Sequence, residues 1–274
     1  MSAPHIALAT VTSESFVPGT LVLLRSFLTH NPWFRGEIVV IADDLSEASQ
    51  RSLEVAAERV RFLGVSKDLT SRIAAVVAAY PSLAPLQARF HALETFRLRG
   101  YDRVLFCDSD LLFRASVEDL LQLPEAFIAA GDIGYYAGRG NTFNSGFMLI
   151  DRVHLTEDCW RGLLDKTEPQ VFEGRRVALA DQIVLSAYFA GRARIVSGAC
   201  NFLLACHQEI AASAGLSLSR ARVVHFNFGR KPWMPEEALG ASTRDPVVAS
   251  ACAMWQQDFA DCLEGLALRA SVRG

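Results

Sequence analysis

The chain has 274 residues, 51% of them hydrophobic, with 27 Lys and Arg against 30 Asp and Glu for a net charge of −3. That balance excludes a nucleic-acid-binding protein working through a basic face, because polyanion binding rests on clustered positive charge. No apolar run approaches the roughly 20 residues that span a bilayer, and no basic-then-apolar leader opens the chain, so a cytoplasmic protein without an integral membrane segment is expected.

In chain order, residues 5–11 read as an apolar strand and 17–30 as a helix, with Leu21, Leu24, Phe27 and Leu28 at helical spacing. Residues 37–42 form the next predicted strand, 46–59 a helix with Ser46 as N-cap, and 60–63 a short strand. The Ala- and Pro-rich stretch 66–86 has the character of a cover over a cleft. A helix is predicted for 85–99, stopped by Gly100, and an apolar strand for 103–107. Beyond these, strands are expected near 127–133, 145–150 and 222–226, and helices near 154–166, 181–190 and 245–268. Alternating strands and helices imply βαβ units on a parallel sheet, whose ligands bind beyond the carboxyl ends of the strands. The expected fold class is α/β with a mixed central sheet, in one domain over 1–274: a nucleotide-binding half over 1–113, a sugar and acceptor half over 114–235, and a helical tail over 236–274. The six cysteines form no Cys-x-x-Cys pair and read as reduced small hydrophobes rather than zinc ligands or a disulfide framework.

The predicted strand 103–107 runs directly into Asp108-Ser109-Asp110, followed by Leu111-Leu112-Phe113. Two carboxylates one residue apart, enclosed by apolar neighbours, oppose each other's ionisation, and a divalent cation would relieve them. Oxygen ligands suit Mg²⁺ or Mn²⁺, which share their coordination with substrate phosphates. The plainer alternative is an acidic surface turn. His225 stands in an apolar segment and reads either as a hydrogen-bonded core residue or as a third ligand. Gly229 and Lys231 follow it closely, one permitting backbone approach to a ligand and the other supplying a charge for phosphate.

These motifs, with Asn144-Ser145-Gly146 between them, resemble the retaining family-8 glycosyltransferases, whose members include glycogenin and bacterial lipooligosaccharide galactosyltransferases. The resemblance runs in motif order over roughly 5–233 and implies a GT-A fold, a Rossmann-like domain for nucleotide-diphospho-sugars. It implies that Asp108, Asp110 and His225 hold Mn²⁺ (or Mg²⁺) against the diphosphate of a UDP-sugar donor, with Lys231 on phosphate. One departure concerns Gly229: three residues separate it from His225 where the family usually has two, while the spacing from His225 to Lys231 is kept.

Aligning Gly19 with the family's helix-start glycine places Thr10, Thr12, Ser13 and Phe16 around the nucleotide, with Ser109 beside it. Phe16 reads equally as a uracil-stacking ring or as a hydrophobic staple at the helix entry. Arg89 matches a basic residue that contacts donor phosphate or sugar; otherwise it is a solvated helix arginine. The resemblance gives Asn144 and Asp132 to the donor sugar, although Asn-Ser-Gly is also an ordinary turn before a strand. Asp181 and Gln182 match a catalytic pair at the β-face of that sugar, against a plain reading of Asp181 as a first-turn acid favoured by the helix dipole. The implied activity is retaining hexosyl transfer to an unidentified acceptor.

Three rivals are weighed. A sugar-nucleotide pyrophosphorylase needs a glycine-rich basic loop after the first strand, and Thr12-Ser13-Glu14-Ser15 is neither. A catalytically idle UDP-sugar-binding protein has no need of paired aspartates. Self-glycosylation needs a suitably placed tyrosine, and none occurs in 199–215.

Overall fold

The structure is a computed structural model that describes residues 4–235 and 244–273. Its centre is a seven-stranded sheet in the order β3-β2-β1-β4-β7-β6-β8. The first four of these in sequence are β1 (Ile6–Val11), β2 (Glu37–Ile41), β3 (Val60–Leu63) and β4 (Arg103–Cys107). They pair in parallel, joined by crossovers that include α1 (Val17–His30), α2 (Glu47–Ala56) and α3 (Lys67–Ala79). The remaining strands are β6 (Phe127–Gly131), β7 (Phe143–Asp151) and β8 (Arg194–Val196). Antiparallel pairing of β7 with both β4 and β6 makes the sheet mixed.

Side-chain alternation divides the core into two layers. Ala7, Ala9, Val39, Ile41, Val104 and Phe106 face one, and Ile6, Leu8, Ile38, Val40, Leu105 and Cys107 the other. Buried on both faces, these strands are the near-continuous apolar runs the sequence shows. A second, three-stranded sheet has the order β5-β10-β9, from Leu111–Phe113, Val223–His225 and Phe202–Leu203.

Three expectations change. Asn144-Ser145-Gly146 is not a turn before a strand but part of β7, where the pairing to β6 jumps from Ala129↔Met148 to Ala130↔Asn144. Residues 145–147 thereby form a bulge that β6 does not pair. Within 66–86, α3 is a packed helix, capped by Ser66 and burying Leu69, Ile73 and Val76. The helix expected over 85–99 is a 3-10 helix beginning earlier, at Pro81–Arg97, and it buries Phe90, Leu93 and Phe96.

The helix expected near 245–268 is Pro246–Arg273, and residues 236–243 lie outside the described residues. That helix packs Ala251, Cys252 and Trp255 with Val22, Leu112 and Phe226, and Arg25 pairs with its Asp258 and Asp261 at 2.7 and 2.9 Å. Among the described residues no helix is long and apolar enough to cross a membrane.

Candidate metal and donor-sugar site

Strand β4 ends in the large sheet at Cys107, and β5 begins in the small one at Leu111. Asp108-Ser109-Asp110 is therefore the link between two sheets. Antiparallel pairing sets His225 opposite Leu111, and the Phe226 N–H donates to the Asp110 carbonyl at 3.1 Å. Strand register thus carries an imidazole from 115 positions along the chain to the acidic link. His225 Nε2 lies 3.2 Å from Asp110 Oδ1 and 3.6 Å from Asp108 Oδ2. One ligand atom from each of the three residues falls within 4.8 Å of the others, a spacing a single cation can bridge. The Asp108 N–H donates to the Gly146 carbonyl at 2.8 Å, which ties the link to the β7 bulge. Gly146 has no room for a side chain: a Cβ there would lie 2.5 Å from His225 Cε1 and 2.6 Å from Asp108 Oδ2.

The two aspartates differ in charge state. Burial pushes Asp110 up, but Lys231 and then His225 outweigh it and hold its carboxyl below the ordinary range. Lys231 Nζ donates to Asp110 Oδ2 at 2.6 Å and to the Phe226 carbonyl at 2.7 Å, so its buried ammonium is paired rather than stranded. Asp108 keeps solvent access at one edge, its side chain being 41% exposed. Surrounding protein mass and then the Asp110 charge nevertheless hold its carboxyl above the ordinary range. Asp181, the first residue of the helix Asp181–Tyr188, is pushed up to about 7 by burial and then by the Asp108 charge, while the Ser145 hydroxyl pulls the other way. Three carboxylates crowd one pocket with too little positive charge to match them.

Beside this charged end lies an amide-rich one. Asn144 Nδ2 donates to Gln182 Oε1 at 3.2 Å, and Gln182 Nε2 donates to Asp132 Oδ2 at 3.0 Å. Asp132 also accepts from the Tyr135 N–H and the Thr142 hydroxyl. Asp181 and Gln182 are both buried, and they follow Ala180, whose backbone stands at φ 44 and ψ −114. A non-glycine residue in that region is strained, and the bend it makes aims the first turn of the helix Asp181–Tyr188 at the pocket. The structure thus joins Asp132, Asn144 and Gln182 directly and sets Asp181 within electrostatic reach of Asp108.

Asn201, fully buried just before β9, belongs to the same group: its Nδ2 donates to Asn144 Oδ1 at 2.9 Å and its Oδ1 meets His225 Nδ1 at 3.0 Å. The sequence reading missed it, because Ala199-Cys200-Asn201-Phe202-Leu203-Leu204-Ala205 carries no motif. A lone amide in an apolar run was the available signal, since such a group is buried only when partnered.

Around the expected nucleotide end the picture is mixed. Thr12 Oγ1 meets Thr20 Oγ1 at 2.6 Å, and the wholly buried Thr10 Oγ1 has no hydrogen-bond partner among the described residues. Phe16 meets Trp233 edge-on at 5.3 Å, and the Trp233 indole N–H donates to the Ser15 carbonyl. Lys231 Nζ sits 5.8 Å from the Phe16 ring centre. A Cβ on Gly19 would come within 2.6 Å of the Ser109 carbonyl and 2.7 Å of the Trp233 ring, so that glycine admits close packing of α1 against the link. Ser13 is half-buried and Ser109 buried. Arg89 is exposed and donates to the Ala178 carbonyl at 2.8 Å, tethering the segment before Ala180; its charge still acts on Asp108 and Asp181. A Cβ on Gly229 would meet nothing within 4 Å, so the protein's own atoms do not demand glycine there.

The family model for glycosyl transferase family 8 matches residues 7–237. Over 250 residues the chain is 22% identical to glycogenin of Neurospora crassa, a stretch covering 90% of this chain and 34% of that protein. It is 26% identical over 151 residues to the lipopolysaccharide 1,3-galactosyltransferase of Salmonella typhimurium, covering 48% of this chain and 44% of that enzyme. The chain thus spans under half the length of these curated relatives. The crystal structure of the galactosyltransferase LgtC with donor and acceptor sugar analogues superposes with a TM-score of 0.65 at 19% identity, covering 89% of this chain and 95% of LgtC. With that match across most of its length and the GT-A architecture, the chain belongs to glycosyl transferase family 8.

Proposed function

We propose that the protein transfers a hexose from a UDP-sugar to a separate acceptor hydroxyl, with retention at the anomeric carbon. The observation that carries this reading is the meeting of Asp108, Asp110 and His225 within 4.8 Å, with Lys231 beside them. The donor set, two carboxylates and an imidazole, fits Mn²⁺ or Mg²⁺, and the raised Asp108 and Asp181 mark a site short of positive charge. A bound cation there would offset charge on the diphosphate leaving group.

The chain's own residues divide the remaining work. Lys231 adds a fixed positive charge next to Asp110, where phosphate charge grows as the glycosidic bond breaks. Phe16 and Trp233 offer an aromatic wall for the base, and Gly229 leaves open space for a ligand near Lys231. Asn144, Asp132 and Gln182 supply donors and acceptors for sugar hydroxyls from side chains already held in place by one another. Asp181 and Gln182 stand to support an oxocarbenium-like centre, electrostatically or as nucleophile, by analogy with glycoside hydrolysis.

The test is UDP release from UDP-glucose, UDP-galactose, UDP-GlcNAc and UDP-glucuronate, with Mn²⁺ and then with chelator. Release from one of them that stops on chelation is expected. Tight binding without release would mark a binding protein, and release undiminished by chelator would overturn the cation assignment.

A further inference from the structure

Five side chains form one continuous path from the sugar end to the cation end: Asp132, Gln182, Asn144, Asn201 and His225. Its direction is fixed at two points. A carboxylate only accepts, so Gln182 must turn its amide nitrogen to Asp132 and its oxygen to Asn144. The Gly146 N–H donates to Asn144 Oδ1 at 3.0 Å, which fixes that oxygen independently. Asn144 Oδ1 then accepts from Asn201 Nδ2 as well, so Asn201 must present its oxygen to His225. Facing an acceptor at 3.0 Å, Nδ1 of His225 carries a hydrogen. The other ring nitrogen, Nε2, is the one that faces Asp108 and Asp110.

We propose that Asn201 is a positioning residue: it holds the proton on His225 Nδ1, aims the Nε2 lone pair at the cation, and couples that ligand to the amides around the donor sugar. The proposal rests on the reading of Asp108, Asp110 and His225 as a cation site. Asn201 is suited to the task because it is wholly buried and both ends of its amide are engaged, so water cannot replace either contact. Partners that orient a ligating imidazole through its second nitrogen typically contribute about 10–100-fold to metal affinity.

Two substitutions separate its two contacts. Asn201→Leu keeps the number and branching of side-chain heavy atoms and removes both. Asn201→Asp keeps an acceptor for His225 and removes the donor to Asn144. Mn²⁺ affinity is measured by electron paramagnetic resonance without nucleotide, and the His225 Nδ1–H proton is followed by nuclear magnetic resonance with and without Mg²⁺. For wild type and Asn201→Asp, a slowly exchanging Nδ1–H and similar Mn²⁺ affinity are expected. Asn201→Leu is expected to lose the Nδ1–H signal and about 10–100-fold in Mn²⁺ affinity. Asn201→Asp should weaken UDP-glucose relative to UDP, since the contact it removes is the one toward Asn144.

Wild-type Mn²⁺ affinity and an unchanged Nδ1–H in Asn201→Leu would overturn the proposal. If that variant fails to fold, Asn201→Asp decides alone: loss of its Nδ1–H signal, or equal weakening of UDP and UDP-glucose, would count against the role. A wild type that shows the Nδ1–H but binds no Mn²⁺ would instead overturn the cation reading and leave the hydrogen-bond path standing.

Discussion

The two sheets contribute to the site in opposite ways. The large sheet is seven strands wide, and its central members bury both faces in two apolar layers. The small sheet has three strands of two or three residues each, yet it carries His225 and stands next to Asn201 and Asp110. The two main apolar layers flank the first, and the position of His225 depends on the second. A site held by so few backbone pairs should be sensitive to changes that leave the whole fold intact.

Four tests would break or sharpen this contrast. The largest effect is expected for Asp110→Asn, which removes a proposed cation ligand and the charge that pairs Lys231. Metal-dependent UDP release should fall to background, and the buried lysine should cost about 3–5 kcal/mol in a urea titration. Turnover at the wild-type rate in chelator would refute the assignment.

Second comes Asp181→Asn. The Asp181 pKa is raised to about 7. The fold therefore favours its protonated form, and this contribution, complete below the unfolded value near ~4, is lost as pH rises through about 7. In metal-free protein its ceiling is on the order of 4 kcal/mol. The variant should gain stability over wild type progressively between about pH 4 and about pH 7 and level off above that; a gap independent of pH would show that the carboxyl is not held protonated.

Gly146→Ala should follow, because its methyl would displace His225 or Asp108. Overpacking of this kind costs about 1–3 kcal/mol, or roughly 10–100-fold in Mn²⁺ affinity if the ligands absorb it. Unaltered Mn²⁺ binding by the variant would show that the bulge relaxes elsewhere.

The smallest and most direct comparison truncates one buried valine in each sheet. Val39→Ala in β2 and Val224→Ala in β10 should each cost about 1–2 kcal/mol in stability. Only Val224→Ala should also weaken Mn²⁺, by a few-fold at most. Equal Mn²⁺ affinity in the two variants would mean that the short strand does not govern His225.

The same division explains what was legible beforehand. Strands β1, β2 and β4 and helix α1 announce themselves through apolar runs and helical spacing, because deep burial leaves no other composition. Asp108, Asp110 and His225 were found through their motifs and through resemblance, and the structure brings them together. β5, β8 and β9, at two or three residues each, are too short to show a period. Asn144 stands out as a candidate from the motif, but its place in a β7 bulge does not, because Asn-Ser-Gly suits a turn and an irregular strand alike. Asn201 escaped because its role comes from two side-chain partners distant in sequence, Asn144 and His225, a property no local window contains. Arg89, assigned to the donor, is engaged with the Ala178 carbonyl, a contact that depends on tertiary placement alone.

The link Asp108-Ser109-Asp110 crosses from one sheet to the other, while His225 belongs wholly to the smaller. A cation gripped by all three would therefore act as a rivet across the seam, fastening a small, weakly braced layer to a large, rigid one. Loading the site should slow amide exchange in β9 and β10 far more than in β1 and β2, making hydrogen exchange a sensitive gauge of occupancy.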